Sequence, residues 1–211
     1  HYFIFSHVTM ILIILSSNAY FITMTYYFNT EINISKVHTL HYLELDPSYS
    51  NDGETHDFWE MLYVISGSCT VVTTNNRFEL SQEDLIFHKP NEFHSLYCNG
   101  NGYTIVFVTS FNCRSRIMRY FNEQCLSLPI ELKSLLGKVI TESRKVFNYS
   151  SMNGKDFTFT LKKDAPIGSE QLIRLYLEQF LILLLQKRQH LHSAGQEGEY
   201  SLLPLRPQRE S

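Results

Sequence analysis

The chain has 211 residues, with 18 Lys and Arg against 21 Asp and Glu and a formal net charge of −3. That length can bury a substantial core, in one domain with additions or in two small ones. The balance argues against nucleic-acid binding by this chain alone, which calls for a basic patch. The 15 Phe and 13 Tyr suit a β-rich domain with a lined cavity.

Residues 1–26 form an uncharged apolar segment around MILIILSS. Its length and apolarity leave a membrane anchor or a signal-peptide core open. Against both, no basic leader precedes the run, and Ser16, Ser17, Asn18 and Thr23 interrupt it. The favoured reading is a fragment or an over-extended reading frame, with Met24 as the start and no membrane partner.

From Asn33 to Leu45 polar and apolar residues alternate, which predicts a strand. Asp46 to Gly53 reads as a loop. Strand character resumes over Thr55–Ile65, turns at Ser66-Gly67-Ser68, and continues over Cys69–Thr74. Asn75-Asn76 suits the positive φ angles of a tight hairpin. Arg77–Leu80, Asp84–His88, His94–Tyr97 and Tyr103–Ser110 complete the set. Short strands at this spacing indicate a sandwich or barrel, placed at 27–112.

The pattern then changes to a helical extension over 113–190. Arg114–Asn122 predicts a short helix with Ile117, Met118 and Phe121 on one side. Pro129 suits a first helical turn, and Leu132, Leu135, Leu136, Val139, Ile140 and Phe147 follow at helical spacing. Asn148–Pro166 reads as a polar connection. Ser169 is expected to cap a helix over 169–189. That helix carries Leu172, Tyr176, Phe180 and Leu183 on one face, and Ile173, Leu177, Leu181 and Leu184 on another. One face can pack on the barrel and the other on a partner subunit, or the helix can be wholly buried. Residues 191–211 read as a polar, disordered tail. Cys69, Cys98, Cys113 and Cys125 are scattered, which predicts reduced thiols and no zinc framework.

The most informative stretch runs from His56 to His94. His56, Glu60 and Gly67 stand in the order H-x3-E-x6-G, and Pro90 precedes His94 by four residues. This resembles the two half-motifs of a cupin, a double-stranded β-helix barrel with polar groups aimed into its cavity. On a strand, Glu54, His56, Phe58, Glu60 and Leu62 share a side, and His94 can join them from another strand. His56, Glu60 and His94 are a ligand set for Zn, Fe or Mn. Three departures weaken the metal reading. Glu54 stands where cupin enzymes carry a first His, Glu83 replaces a Gly, and PNEFH lacks the Gly before the His.

Alternatively these residues are satisfied core. The preferred reading is that Glu54, His56, Glu60 and His94 hydrogen-bond a small polar ligand, because burying converging ionisable groups without partners is costly. Trp59 has the opposite parity and is expected outside the barrel, under a helix. His88 and Lys89 border the mouth or lie in a solvated loop. No GxSxG, Walker, HExxH or dinucleotide motif occurs, so neither an enzyme nor a cofactor is expected.

YFNTEINISKVHTLHYLEL, FWEMLYVISG, LIFHKPNEFH and APIGSEQLIRLYLEQFLILLL together resemble AraC-type bacterial transcription regulators, over Tyr27 to Arg188. The resemblance implies an α+β fold: a cupin barrel that senses a small molecule, often a carbohydrate, followed by helices that make a homodimer. Leu172, Tyr176, Phe180 and Leu183 are the expected dimer contacts. It also implies a cytoplasmic protein that reaches DNA only through a C-terminal helix-turn-helix domain, for which no helical array follows Gln189. The rival expectation is a metal-dependent cupin enzyme, an isomerase or dioxygenase, using His56, Glu60 and His94. A vestigial interaction module is a third.

Overall fold

The computed structural model describes residues 26–100, 102–122, 124–152 and 156–193. Residues 1–25 and 194–211 lie outside it, and with them nearly all of the apolar segment and most of the polar tail.

Eight strands build two facing antiparallel sheets: β1 Ile34–Leu45, β2 Trp59–Ser66, β3 Ser68–Thr73, β4 Arg77–Ser81, β5 Asp84–His88, β6 His94–Cys98, β7 Thr104–Cys113 and β8 Cys125–Ser127. One sheet runs β1-β7-β2-β5-β8 and the other β4-β3-β6. This is the cupin-like arrangement expected from the sequence, with β8 as an unforeseen edge strand.

Strand parity sorts the side chains. Leu62 and Val64 point between the sheets, where they meet Val71, Leu80, Ile86, Leu96 and Val106. Trp59, Met61 and Tyr63 point the other way, into a second core shared with Phe87, Phe107 and Phe111. Helices α1 (Ile130–Val146) and α2 (Ser169–Ser193) cover that outer face. Trp59 thus lies outside the barrel, beneath helical residues, as its parity predicts.

Three expectations of the helical region are corrected. The expected connection over Asn148–Pro166 contains a hairpin, β9 Phe147–Met152 paired with β10 Asp156–Leu161. Its Thr and Phe alternation (FTFTL) carries the strand signal that its polarity and Gly154 obscured. Phe147 therefore starts a strand and stacks edge-on against Phe159, with centroids 4.7 Å apart, instead of extending α1. Ser169 does not use its hydroxyl as a cap: it donates 2.7 Å to the buried Glu142 carboxylate of α1, tying the two helices together.

Two backbone positions explain parts of the motif. Gly67 has φ +84°, and an added Cβ would meet the Tyr103 carbonyl oxygen at 2.8 Å and Thr104 Cα at 3.0 Å. The motif glycine is a site of close backbone approach. Glu83, standing where cupins carry a glycine, also adopts a left-handed φ of 78°. Its amide donates 2.8 Å to the Val64 carbonyl, and its own carbonyl accepts from Leu128 at 2.8 Å. The glycine conformation is thus kept without the glycine.

Candidate functional site

Glu60 is the first inward residue of β2. The ladder places it opposite His88 of β5 on one side and Ser110 of β7 on the other. His56 lies in the chain just before β2, so it is not on the strand that simple alternation predicts. It is held by its neighbours: Nδ1 bonds the Phe58 carbonyl at 3.0 Å, and its ring stacks on Phe58 at 4.0 Å. His94 opens β6, and its Nδ1 bonds the Glu92 carbonyl at 3.1 Å.

The two imidazoles approach Glu60 from different sides. His94 Nε2 lies 3.4 Å from Oε1 and His56 Nε2 3.5 Å from Oε2. A carbonyl can only accept, so both Nδ1 atoms carry the hydrogen, and in the neutral rings both Nε2 atoms present a lone pair. Neither Nε2 has a hydrogen-bond partner, although each is buried. Two lone pairs and a carboxylate therefore face one point. Such an arrangement calls for a proton on an imidazole, a donor from a ligand, or a cation.

Further polar groups complete the wall. Ser110 donates 2.8 Å to Glu60 Oε2. Since its proton is used there, the 2.6 Å contact with Thr39 makes Thr39 the donor. His88 stacks face to face on His94, with centroids 4.0 Å apart and planes 3° from parallel, and its Nδ1 lies 3.5 Å from Glu92. Lys89 reaches the other oxygen of Glu92 at 3.8 Å. His88, expected at the mouth or in a solvated loop, is instead buried at the end of β5. Ser110, Thr39 and Glu92 were not among the expected site residues, and Ser110 enters through strand register, which is non-local and invisible to spacing.

The electrostatics follow from this packing. Burial by itself would raise the Glu60 carboxyl, but the flanking His56 and His94, with the nearby His88, hold it well below the usual carboxylate range. Burial opposes a charge on His94, yet Glu60 beside it wins and raises its pKa. His88 goes down, because burial dominates and the adjacent His94 adds to it. His41 is lowered by burial as well.

Of the expected ligand-binding residues, His56, Glu60 and His94 are brought together, with their ligand atoms within 4.8 Å of one another. Glu54 stands at the rim. It is not part of β2 but forms an isolated bridge with His94, and its side chain is 56% exposed at 3.7 Å from His94 Nε2. The trio offers the donor types a cation takes: ligand distances of about 2.0–2.2 Å put tetrahedral ligand atoms roughly 3.4 Å apart, which each His–Glu60 contact matches through a different carboxylate oxygen, while the set as a whole spans up to 4.8 Å. Nδ1 bonds to carbonyls are the usual outer support of ligating imidazoles.

On α2 the expected dimer face is only partly available. Phe180 is 0% exposed and packs in this chain's own core with Ile173, Leu177, Leu181 and Leu184, so it is withdrawn from that face. Leu172 is exposed, Tyr176 and Leu183 are half-buried against the core, and Leu175, outside the expected face, is 44% exposed.

Fold and site together define a cupin-like barrel with a helical extension. Residues 42–139 match the family model described as the AraC-like ligand binding domain, which supports a ligand-sensing role. No curated protein matches the chain. Solved structures that overlap part of it include a predicted oxalate decarboxylase from Thermotoga maritima, at 19% identity and TM-score 0.35 over 36% of this chain and 68% of that one. An RmlC-like cupin from Shewanella frigidimarina overlaps at 20% identity and TM-score 0.33, over 43% and 74%. A cupin 2 domain-containing protein from Halorhodospira halophila does so at 21% and 0.32, over 34% and 49%.

Proposed function

We propose that this chain is the small-molecule sensor and dimerisation region of an AraC-like bacterial transcription regulator. Its site binds without catalysing a reaction. The observation that carries the reading is the pair of buried, unpartnered Nε2 atoms flanking the Glu60 carboxylate, inside a domain that matches a ligand-binding family. Three acceptors around one point suit a ligand rich in hydroxyl donors, so a carbohydrate or other polyol is the proposed class. Leu172, Leu175, Tyr176 and Leu183 form the proposed homodimer stripe on α2. Ligand binding would shift how α2 is presented to its partner copy, and DNA would be reached through a helix-turn-helix domain of the intact regulator, in the cytoplasm. Among the described residues, no helix is long and apolar enough to cross a membrane.

The test is a thermal-shift screen of neutral monosaccharides and polyols. A hit should raise the melting temperature of the wild type and leave Glu60→Ala folded but unresponsive. An unchanged response in Glu60→Ala removes that residue from the site.

The fit of His56, Glu60 and His94 to a cation supports a second reading, a metal-dependent cupin enzyme. A bound metal there would act as a Lewis acid toward a coordinated oxygen. Native mass spectrometry of freshly purified protein separates the two. A metal-free dimer supports the sensor, and stoichiometric Fe, Mn or Zn sends the work to isomerase and dioxygenase assays.

A further inference from the structure

A cavity lies on the opposite side of β1 from the histidine cluster. It opens between the start of β1, the β9–β10 hairpin and the first turns of α2, and has a volume of about 300 Å³. That is the lower end of the range in which small-molecule sites fall, roughly 300–1,000 Å³. Its floor is apolar, from Val37, Leu40, Phe147, Phe159 and Ile173.

The rim has a different chemistry. Lys36 and Arg174 line the cavity from β1 and α2 and are exposed, and neither has an ion-pair partner among the described residues. Glu170 is the opposing charge on this rim. The N-terminal end of α2 adds positive partial charge beside them. Ser169, which could have capped that end, spends its hydroxyl on Glu142. Two cations thus share the rim with Glu170 above an apolar floor, while the nearby Glu178 carboxylate is engaged by the Ile34 amide.

We propose that this cavity is a binding site for an amphipathic carboxylate, with its apolar chain against Phe147, Phe159 and Ile173 and its head group between Lys36 and Arg174. The site is independent of whatever occupies the barrel. It shares one wall with it, however. Leu40 faces this cavity, while the preceding Thr39 faces inward to Ser110 and so to Glu60. The same strand is pinned to α2 where the Ile34 amide donates 2.9 Å to Glu178. An occupant would thus press on the element that touches both the barrel interior and the long helix.

The experiment is titration of the full chain with decanoate, decanol and decyltrimethylammonium below their micellar concentrations, followed by ¹H–¹⁵N NMR. Decanoate should give saturable shifts at Lys36, Val37, Ile173 and Arg174. The cationic analogue should bind at least tenfold more weakly. The double variant Lys36→Glu with Arg174→Glu should weaken decanoate at least tenfold while leaving decanol unchanged, and Glu170→Gln should strengthen decanoate. Both reversed side chains are exposed, and a dispersed spectrum verifies folding; if it is lost, the Gln pair serves instead. The proposal is overturned by equal binding of decanoate and the cationic analogue, by no saturable decanoate binding, by unchanged affinity in the charge variants, or by shifts confined to His56, Glu60 and His94.

Discussion

The ring of His88 lies flat on the ring of His94, with centroids 4.0 Å apart, and the two are driven in opposite directions by one carboxylate and one burial gradient. His94 touches Glu60, which raises its pKa; His88 is more deeply buried, which lowers its own. Their titrations should fall on opposite sides of the ordinary histidine value of about 6.5. Ring-proton NMR shifts of the two residues across pH 5 to 8 check this. A single shared midpoint sinks the assignment.

Stability against pH follows from the same groups. The contribution of His94, whose folded value is raised, is present below its unfolded value and is lost as pH rises through the folded one. The contributions of His88 and His41, whose folded values are lowered, are present above about pH 6.5 and fade on acidification below it. Glu60, also lowered, stabilises above about pH 4.5 and loses that contribution as pH falls further. Denaturation midpoints should therefore fall in two stages below neutrality. In Glu60→Gln the stage near pH 4 should shrink and His94 should titrate lower than in wild type. An unshifted His94 in that variant means that Glu60 is not what raises it.

Gly67→Ala should destabilise the barrel by about 1–3 kcal/mol, since it forces a Cβ at positive φ against the Tyr103 carbonyl. Glu83→Gly is expected to act in the opposite sense. It relieves a left-handed non-glycine backbone worth roughly 1–2 kcal/mol and gives up the Glu83–Lys133 surface pair, worth at most about 1 kcal/mol. Urea midpoints of the two variants decide both. A destabilised Glu83→Gly shows that the ion pair outweighs the strain.

The two sides of α2 should respond differently. Phe180→Ala removes a fully buried ring and should cost about 3–5 kcal/mol at any protein concentration. Leu175→Glu should change monomer stability by no more than about 0.5 kcal/mol and abolish dimerisation in analytical ultracentrifugation. A dimer that survives Leu175→Glu moves the interface elsewhere.

Most of the barrel was legible because alternation is local. Leu62 against Met61, and Trp59 against Glu60, declare their sides within a few residues. His56, Glu60 and His94 could be named together because the motif fixes their spacing. What escaped depends on register or on context. His88 and Ser110 join Glu60 only through β2's two neighbours. Cys69 and Cys98 look scattered in sequence yet stand opposite each other on β3 and β6. Phe180 reads as part of an outer stripe until α1 is packed against it. The β9–β10 hairpin was hidden because its polar loop outweighed a short Phe/Thr alternation.

The carbonyl bonds that fix the His56 and His94 tautomers also act as a filter on charge. With both Nδ1 hydrogens committed to backbone, the barrel turns lone pairs and a carboxylate toward its guest. Phosphorylated sugars and sugar acids would meet repulsion there, whereas neutral polyols and cations would not. The barrel and the cavity across β1 would therefore draw on different metabolite pools, sorted by sign before shape is consulted.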